Sequence, residues 1–139
     1  MGLVYLDSSA LVKLVAREEE SEALLEFLSS RPERVSSILA RIELARALRR
    51  AAAPPSLARR AEQLLRRIAL LRLWGAVADA AARVDPPELR SLDAIHLASA
   101  LSVRDDLEVL VSYDRRLSAA AAGGEAPLTG AYPGGRPAA

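Results

Sequence analysis

The sequence predicts an α/β sandwich with a mostly parallel central sheet. Short apolar runs alternate with longer stretches of helical periodicity, which is typical of strand–helix–strand units. The 139 residues are 51% hydrophobic and 27% charged, so the chain is a folded globular protein and not a disordered one. At this length we expect a single domain over residues 1–139. Its end, 123–139, is expected to be mostly loop, because eight of these 17 residues are glycine or proline.

The first half of the chain predicts two strands and four helices. The apolar run Leu3–Leu6 contains valine and tyrosine, which is typical of a buried strand. Ser8 and Ser9 have side chains that can cap a helix N-terminus, so a first helix is predicted directly after this strand. The acids that begin Glu18–Leu28 suit the start of a second helix. The remaining elements are a strand over Val35–Ser37, a helix over Ile38–Ala52 that Pro54-Pro55 ends, and a helix over Ser56–Ile68.

The second half predicts further strands and helices in alternation. Leu70–Trp74 is consistent with either a third strand or the end of the preceding helix. Ser91–Arg104 predicts a helix, because its aliphatic side chains form one packing surface. Leu107–Val111 predicts a strand. The other elements are a helix over Gly75–Val84, a helix over Tyr113–Ala122 that Gly123-Gly124 ends, and a short edge strand over Pro127–Thr129.

The composition excludes several classes of site. The chain has no cysteine, which rules out disulfides, zinc–thiolate sites, iron–sulfur clusters and a cysteine nucleophile. The single histidine, His96, rules out any site that requires two. No apolar run reaches the roughly 20 residues of a membrane-spanning helix. The first residues lack the basic segment of a signal peptide, so we expect a cytoplasmic protein.

The net charge of +1 conceals a basic middle segment. Residues 41–72 carry nine arginines against Glu43 and Glu62, a net charge of +7, whereas residues 1–40 and 73–139 each sum to −3. Such a segment suits binding to a polyanion. It is equally typical of two solvated helices, because almost every basic residue of this chain is arginine.

Two aspartates directly follow predicted strands. Asp7 follows Leu3–Leu6, and Asp114 follows Leu107–Val111. Ligands of open α/β sheets bind beyond the carboxyl ends of the strands, so both side chains are expected to face one crevice. The alternative for each is a turn or helix-cap residue.

Two further acids lie on predicted helices. Asp93 lies in the first turn of its helix, where the helix dipole alone would favour an acid. Glu43 lies in an otherwise apolar stripe, and only Arg46 is spaced to pair with it. Such a surface pair would contribute only about 0.2–0.5 kcal/mol, so the alternative is a buried carboxylate with a function.

If the four acids converge, they must either become protonated or bind a cation. At about 4 Å and an effective dielectric of about 20, each pair of carboxylates repels by roughly 4 kcal/mol. With no cysteine and one histidine the ligands are oxygen atoms, which suits Mg²⁺ or Mn²⁺. A hard cation held by carboxylates at a sheet edge is suited to phosphoryl chemistry.

The acids lie in four segments, LVYLDSSALVKLVAREEES, SSILARIELARAL, LRSLDAIHLASAL and VLVSYDRRL. In order and spacing these resemble the signature segments of PIN-domain ribonucleases, and most closely those of the VapC toxins of bacterial toxin–antitoxin pairs. The resemblance runs from Leu3 to about Leu117. It implies a three-layer α/β/α sandwich and a Mg²⁺- or Mn²⁺-dependent endoribonuclease that leaves a 5′-phosphate and a 3′-hydroxyl.

The resemblance also implies roles for individual residues. Asp7 and Asp93 would be the principal metal ligands, and Glu43 and Asp114 would complete the site directly or through water, with Asp114 at the more variable position. The supporting hydroxyls would be those of Ser9 and Ser112. The implied partners are an RNA substrate, an antitoxin of the VapB type and a second copy of the chain in a homodimer.

Other residues near these motifs have competing interpretations. Lys13 and Arg17 are one turn apart and would either contact RNA phosphate or form a solvated face. His96 is either a ligand or base beside Asp93, or a partly buried histidine with local hydrogen bonds, which we favour. Trp74 is more consistent with packing than with stacking on bases.

Four other functions are compatible with some of these features. Receiver and haloacid-dehalogenase phosphotransfer domains also place aspartates at strand ends, but the first requires an acid pair after the first strand and the second an acid where Ser9 stands. Both are rejected. An RNA-processing PIN nuclease that is not a toxin, and a non-catalytic RNA-binding domain, remain as alternatives.

Overall fold

The computed structural model describes residues 2–135, which form five strands and seven helices. The strands are β1 (Leu3–Leu6), β2 (Arg34–Ser37), β3 (Ala69–Leu71), β4 (Leu107–Val111) and β5 (Gly130–Ala131). The helices are α1 (Ser8–Val15), α2 (Ser21–Leu28), α3 (Leu39–Arg50), α4 (Pro55–Arg66), α5 (Gly75–Arg83), α6 (Ser91–Ser102) and α7 (Arg115–Gly123). No helix in this part of the chain is long and apolar enough to cross a bilayer.

The five strands form one parallel sheet in the order β3-β2-β1-β4-β5. The chain runs outward from β1 through β2 to β3, and then returns to add β4 and β5 on the opposite side. β1 therefore lies at the centre, and the direction of strand addition reverses beside it. In such sheets a crevice forms at this reversal, beyond the carboxyl ends of the strands.

The sheet separates two hydrophobic cores, because successive strand residues point to opposite faces. Val4 and Leu6 pack with helices α1 to α4 on one face. Tyr5 packs on the other face with side chains of α6 and α7, and α5 packs against α6. The predicted three-layer α/β/α sandwich is confirmed.

The starts of two predicted helices were wrong in detail. Asp7, and not Ser8 or Ser9, is the N-cap of α1, and its carboxylate accepts a hydrogen bond from the backbone N–H of Ala10. The second helix begins at Ser21 and not at Glu18, because the Ser21 hydroxyl accepts the Glu18 N–H in a turn that precedes the helix. The other helices begin and end within two residues of their predicted bounds.

The structure decides whether the segment after α4 is a strand and where the edge strand lies. Ala69–Leu71 is a strand that pairs with β2, so this segment does not continue α4. The edge strand lies at Gly130–Ala131 and not at Pro127–Thr129, because the Leu128 N–H is bound to the Ala121 carbonyl of α7 and its side chain packs in the core. Of the predicted loop 123–139, residues 136–139 lie outside the described residues, as does Met1.

Candidate active site

The fold brings the four predicted acids to one edge of the sheet. Asp7 directly follows β1, and Asp114 is the N-cap of α7 just after β4. Glu43 lies in the second turn of α3, which begins where β2 ends. Asp93 lies in the first turn of α6. In a parallel sheet the carboxyl ends of the strands share one edge, and all four acids lie at this edge, where the central crevice forms.

Asp7 is the most buried of the four and is only 3% exposed. One carboxylate oxygen accepts from the Ser9 hydroxyl at 2.6 Å and from the Ala10 N–H at 3.0 Å, and the other accepts from the Ser112 hydroxyl. Burial raises the pKa of Asp7, although these hydrogen bonds and the nearby His96 act to lower it. The hydrogen bonds therefore fix the orientation of the carboxylate, but they do not outweigh the cost of burying its negative charge.

Glu43 is held by two side chains that come from other elements. One of its oxygens, Oε1, accepts from the Ser8 hydroxyl at 2.6 Å and lies 2.6 Å from Nε2 of His96. Burial acts to raise the pKa of Glu43, but the hydrogen bonds from His96 and Ser8 outweigh it and lower the pKa. The carboxylate is partly buried rather than part of a surface pair with Arg46, and its other oxygen, Oε2, remains available.

His96 is buried and links three elements. Its Nδ1 lies 2.7 Å from the hydroxyl of Tyr5 in β1, and its Nε2 contacts Glu43 in α3. Burial raises the pKa of Tyr5, so its hydroxyl keeps its proton and can donate to Nδ1. When Tyr5 is the donor, Nε2 carries the ring hydrogen and donates to Glu43. The expectation of a purely local histidine was wrong, because both partners are distant in sequence.

Sequence reasoning missed Tyr5 and Ser8 as members of this site. The available signal for Tyr5 was a tyrosine inside a buried strand, since a buried phenol requires a hydrogen-bond partner. The signal for Ser8 was its place directly after a strand-end aspartate. Neither signal identifies His96 as the partner, because the sequence does not reveal which helix covers which face of β1.

Asp93 and Asp114 complete the acidic edge. Burial raises the pKa of Asp93, and the negative charge of Asp114 raises it further. His96 acts to lower it, and Asp7 and Glu43 add smaller raising effects. No side chain or backbone group within 2–135 donates a hydrogen bond to Asp93. Asp114 is partly engaged, since its Oδ1 caps α7 by accepting the N–H groups of Arg116 and Leu117.

The charge of this edge is not balanced by any arginine or lysine. Across the described chain, none of the four carboxylates forms an ion pair with either residue type, and only His96 contacts one of them. No three acidic or histidine side chains of residues 2–135 are gathered tightly enough to enclose an ion by themselves. The donors are nevertheless all carboxylate oxygens with open coordination positions, which fits a hard divalent cation that keeps part of its water.

Lys13 forms ion pairs with two carboxylates of the segment that follows α1. Its Nζ lies 2.9 Å from both Glu18 and Glu20 and 4.8 Å from the ring centre of Tyr113. Burial acts to lower the pKa of Lys13, but the two glutamates outweigh it and raise it. Arg17 is exposed and has no ion-pair partner in the described chain. A contact of either residue with RNA phosphate remains a prediction, and for Lys13 it would have to compete with two acids.

Comparison with known proteins identifies the family. The sequence profile of the PIN domain matches residues 4–123. Ribonuclease VapC46 of Mycobacterium tuberculosis (strain ATCC 25618 / H37Rv) is 48% identical over 121 residues, which cover 87% of this chain and 92% of that protein. The chain belongs to the VapC family of PIN-domain ribonucleases. Another VapC protein, ribonuclease VapC47 of M. tuberculosis (strain CDC 1551 / Oshkosh), is 38% identical over 119 residues, which cover 83% of this chain and 87% of that protein.

Solved structures show that the VapC fold is shared. VapC20 of M. tuberculosis, described as a Sarcin-Ricin loop cleaving toxin, superposes with a TM-score of 0.68 and 18% identity over 90% of this chain and 98% of its own. A chain of a toxin–antitoxin complex from Klebsiella pneumoniae superposes with the same TM-score and 20% identity, over 91% of this chain and 96% of its own. At these identities the likeness establishes the fold, and the identification as an RNA-hydrolysing VapC protein rests on the closer relatives.

Proposed function

We propose that the protein is a Mg²⁺- or Mn²⁺-dependent endoribonuclease and the toxin of a VapBC-type toxin–antitoxin pair. The observation that carries this proposal is the convergence of Asp7, Glu43, Asp93 and Asp114 at one sheet edge without a basic side chain to neutralise them. Uncompensated carboxylates in a crevice attract a divalent cation, and an RNA phosphodiester is the substrate on which such a cation acts in this family.

Asp7 and Asp93 are the residues that would hold the ion. Asp7 is fixed by Ser9 and Ser112, and Asp93 has both oxygens available. Glu43 and Asp114 each have one carboxylate oxygen engaged and one available, so they would contribute directly or through water. When bound, the ion would lower the pKa of water in the site and neutralise the negative charge that develops on the phosphate.

The protein's own groups prepare the attack on phosphorus. The lowered pKa of Glu43 keeps it ionised at neutral pH, and its fixed Oε2 can accept a hydrogen bond from the attacking water. The charge of Asp114 acts on Asp93, and its available oxygen would orient a second water or the leaving oxygen. Cleavage would leave a 5′-phosphate and a 3′-hydroxyl.

The test is cleavage of a labelled RNA by the purified protein with and without Mg²⁺ or Mn²⁺. Asp7→Asn and Asp93→Asn should abolish cleavage, and Glu43→Gln should lower its rate by about 100- to 10,000-fold. Asp105→Asn is the matched control, because Asp105 is exposed near the start of β4, away from the carboxyl edge of the sheet. Cleavage that persists in chelator, or that survives Asp93→Asn, would contradict the proposed site.

The proposal extends to protein partners. An antitoxin of the VapB type would inhibit by placing a basic side chain among the carboxylates, because a guanidinium pairs with two carboxylate oxygens through parallel hydrogen bonds. We also propose a homodimer. Size-exclusion chromatography with light scattering of the protein alone and with its antitoxin tests both assemblies.

A further inference from the structure

The basic middle segment, residues 41–72, spans most of α3, all of α4 and β3. All nine arginines of residues 41–72 are exposed, and within residues 2–135 none of them forms an ion pair or a side-chain hydrogen bond. Exposed arginines within a few turns of one another repel unless an anion lies among them. At least part of this segment is therefore suited to contact a polyanion, and the geometry of α3 indicates which part.

Within this segment, α3 has two distinct flanks. With about 100° of rotation per residue, Arg46 lies about 60° and Arg50 about 20° from Glu43 around the helix. Both arginines therefore follow the partly buried Glu43 along one flank, one and two turns beyond it. The side of α3 that carries Ala40, Leu44 and Leu48 is buried in the core.

The other flank of α3 has a different character. There Arg41 and Arg49 border an apolar groove of about 570 Å³ between α3 and α4, whose floor includes Leu44 and Leu48. An apolar groove of this kind suits a protein segment, whose apolar side chains it would bury. The flank of Arg46 and Arg50 does not line this groove. That flank presents mainly positive charge, which extends away from the acidic edge.

An RNA strand that binds at the acidic edge requires positive charge nearby to offset repulsion by the carboxylates. Four carboxylates repel an approaching polyanion, and Lys13 of α1 already forms ion pairs with Glu18 and Glu20. A rise of 1.5 Å per residue places Arg50 about 10 Å beyond Glu43 along the helix axis. A single RNA strand with one phosphate at the carboxylates would carry further phosphates along this flank.

We propose that Arg46 and Arg50 bind two backbone phosphates of the RNA strand on one side of the phosphodiester in the active site. The proposal rests on the proposed ribonuclease function and adds a substrate-binding surface to it. Arginine is suited to this role because its planar guanidinium binds phosphate oxygens in pairs. The contacts position the strand and carry no sequence information.

The test is the salt dependence of binding of a fluorescein-labelled single-stranded RNA. It is measured in the Asp93→Asn background, where cleavage is absent, with and without Arg46→Gln/Arg50→Gln. Loss of two phosphate contacts should weaken binding and reduce the slope of log K against log salt by about 1.4. In the otherwise wild-type enzyme the same pair of substitutions should raise KM for RNA.

The matched control is Arg59→Gln/Arg60→Gln, which removes the same charge from exposed positions of α4. The control pair should leave the slope unchanged. An equal reduction by both pairs would overturn the proposal in favour of a general effect of net charge. An unchanged slope for Arg46→Gln/Arg50→Gln would overturn it, and an accompanying loss of a co-purifying protein partner would assign the two arginines to a protein contact. Because the slope is measured without catalysis, a wild type that binds but cleaves no RNA would contradict only the proposed function.

Discussion

Nε2 of His96 lies 2.6 Å from Oε1 of Glu43, and this contact joins α6 to α3 across the acidic edge. Tyr5 fixes the other ring nitrogen from the central strand, so the imidazole cannot rotate without losing both partners. Ser8 donates to the same oxygen of Glu43 from the start of α1. Four elements thus determine where one carboxylate points, which makes His96 a positioning residue for Glu43.

The first prediction follows from this arrangement. His96→Leu keeps a buried side chain of similar bulk but removes the hydrogen bond to Glu43, so cleavage should fall by about 10- to 100-fold, as for other supporting residues of catalytic sites. Tyr5→Phe should have a smaller effect in the same direction, because it frees Nδ1 without removing His96. Steady-state cleavage rates and circular dichroism of each variant provide the measurement.

A double-mutant cycle separates positioning from a general loss of structure. If His96 acts through Glu43, then His96→Leu should cost little further activity in a Glu43→Gln background. Equal costs of His96→Leu with and without Glu43 would show that the histidine acts independently of it. Retention of the wild-type melting transition in the variants is the control for folding.

The second prediction concerns stability and pH. Because burial raises the pKa of Asp7, the folded protein holds this proton more tightly than the unfolded chain does. Ionisation of Asp7 therefore costs stability that is progressively recovered as the pH falls through the raised pKa. In chelator at pH 7, Asp7→Asn should melt at a higher temperature than the wild type, since the amide still accepts the Ala10 N–H and can donate to Ser112.

The difference between Asp7→Asn and wild type should shrink as the pH is lowered toward about 4, the ordinary range of a carboxyl group. Thermal melts in chelator across this range provide the check. A lower melting temperature for Asp7→Asn at every pH would show that its role as helix cap and hydrogen-bond acceptor outweighs the cost of its buried charge.

The sequence predicted much of this fold because its signals are local. Leu3–Leu6 and Leu107–Val111 are apolar runs, and both are strands with the predicted bounds. The edge strand was misplaced because its position depends on a tertiary contact, the hydrogen bond from Leu128 to Ala121. The start of α2 was misplaced because Ser21 and Lys13 engage the preceding glutamates in a turn.

The acids of the site and the hydroxyls of Ser9 and Ser112 beside Asp7 were named from the sequence, but the side chains that hold Glu43 were not. Asp7 and Asp114 follow strands, and a parallel sheet brings strand ends together whatever the details of packing. The contact of His96 with Tyr5 and Glu43 depends on which helix covers each face of β1 and on the rotation of α6. Those are properties of the assembled layers, and no local pattern in the sequence specifies them.

The third prediction is stabilisation by metal. A cation that binds only the folded site raises stability by mass action, about 2.7 kcal/mol at 100 times its Kd. Mn²⁺ or Mg²⁺ should therefore raise the melting temperature of the wild type, and Asp93→Asn should remove most of that rise. The control Asp105→Asn should retain it. A wild type whose melting temperature does not respond to either ion would count against a metal held by Asp7 and Asp93.

The fourth prediction ranks Asp114 below the other acids. Its Oδ1 is committed to the cap of α7, and an asparagine at this position can accept the same two N–H groups. Asp114→Asn should keep the melting temperature within a few degrees of wild type and reduce cleavage less than Asp93→Asn does. Parallel rate measurements decide the order, and equal losses for both variants would assign Asp114 a principal role.

The fifth prediction concerns the cell. A crevice with four carboxylates prepared for RNA cleavage would be harmful without an inhibitor, so expression of the wild type alone should arrest bacterial growth, whereas Asp7→Asn should not. Co-expression with its antitoxin, which we expect a short upstream gene to encode, should restore growth, and that protein should co-purify with the wild type. Its inhibitory segment is expected to place an arginine or lysine among the carboxylates, so mutation of that one basic residue should restore toxicity without abolishing the complex. Harmless expression of a wild type that cleaves RNA in vitro would instead assign the protein to RNA processing.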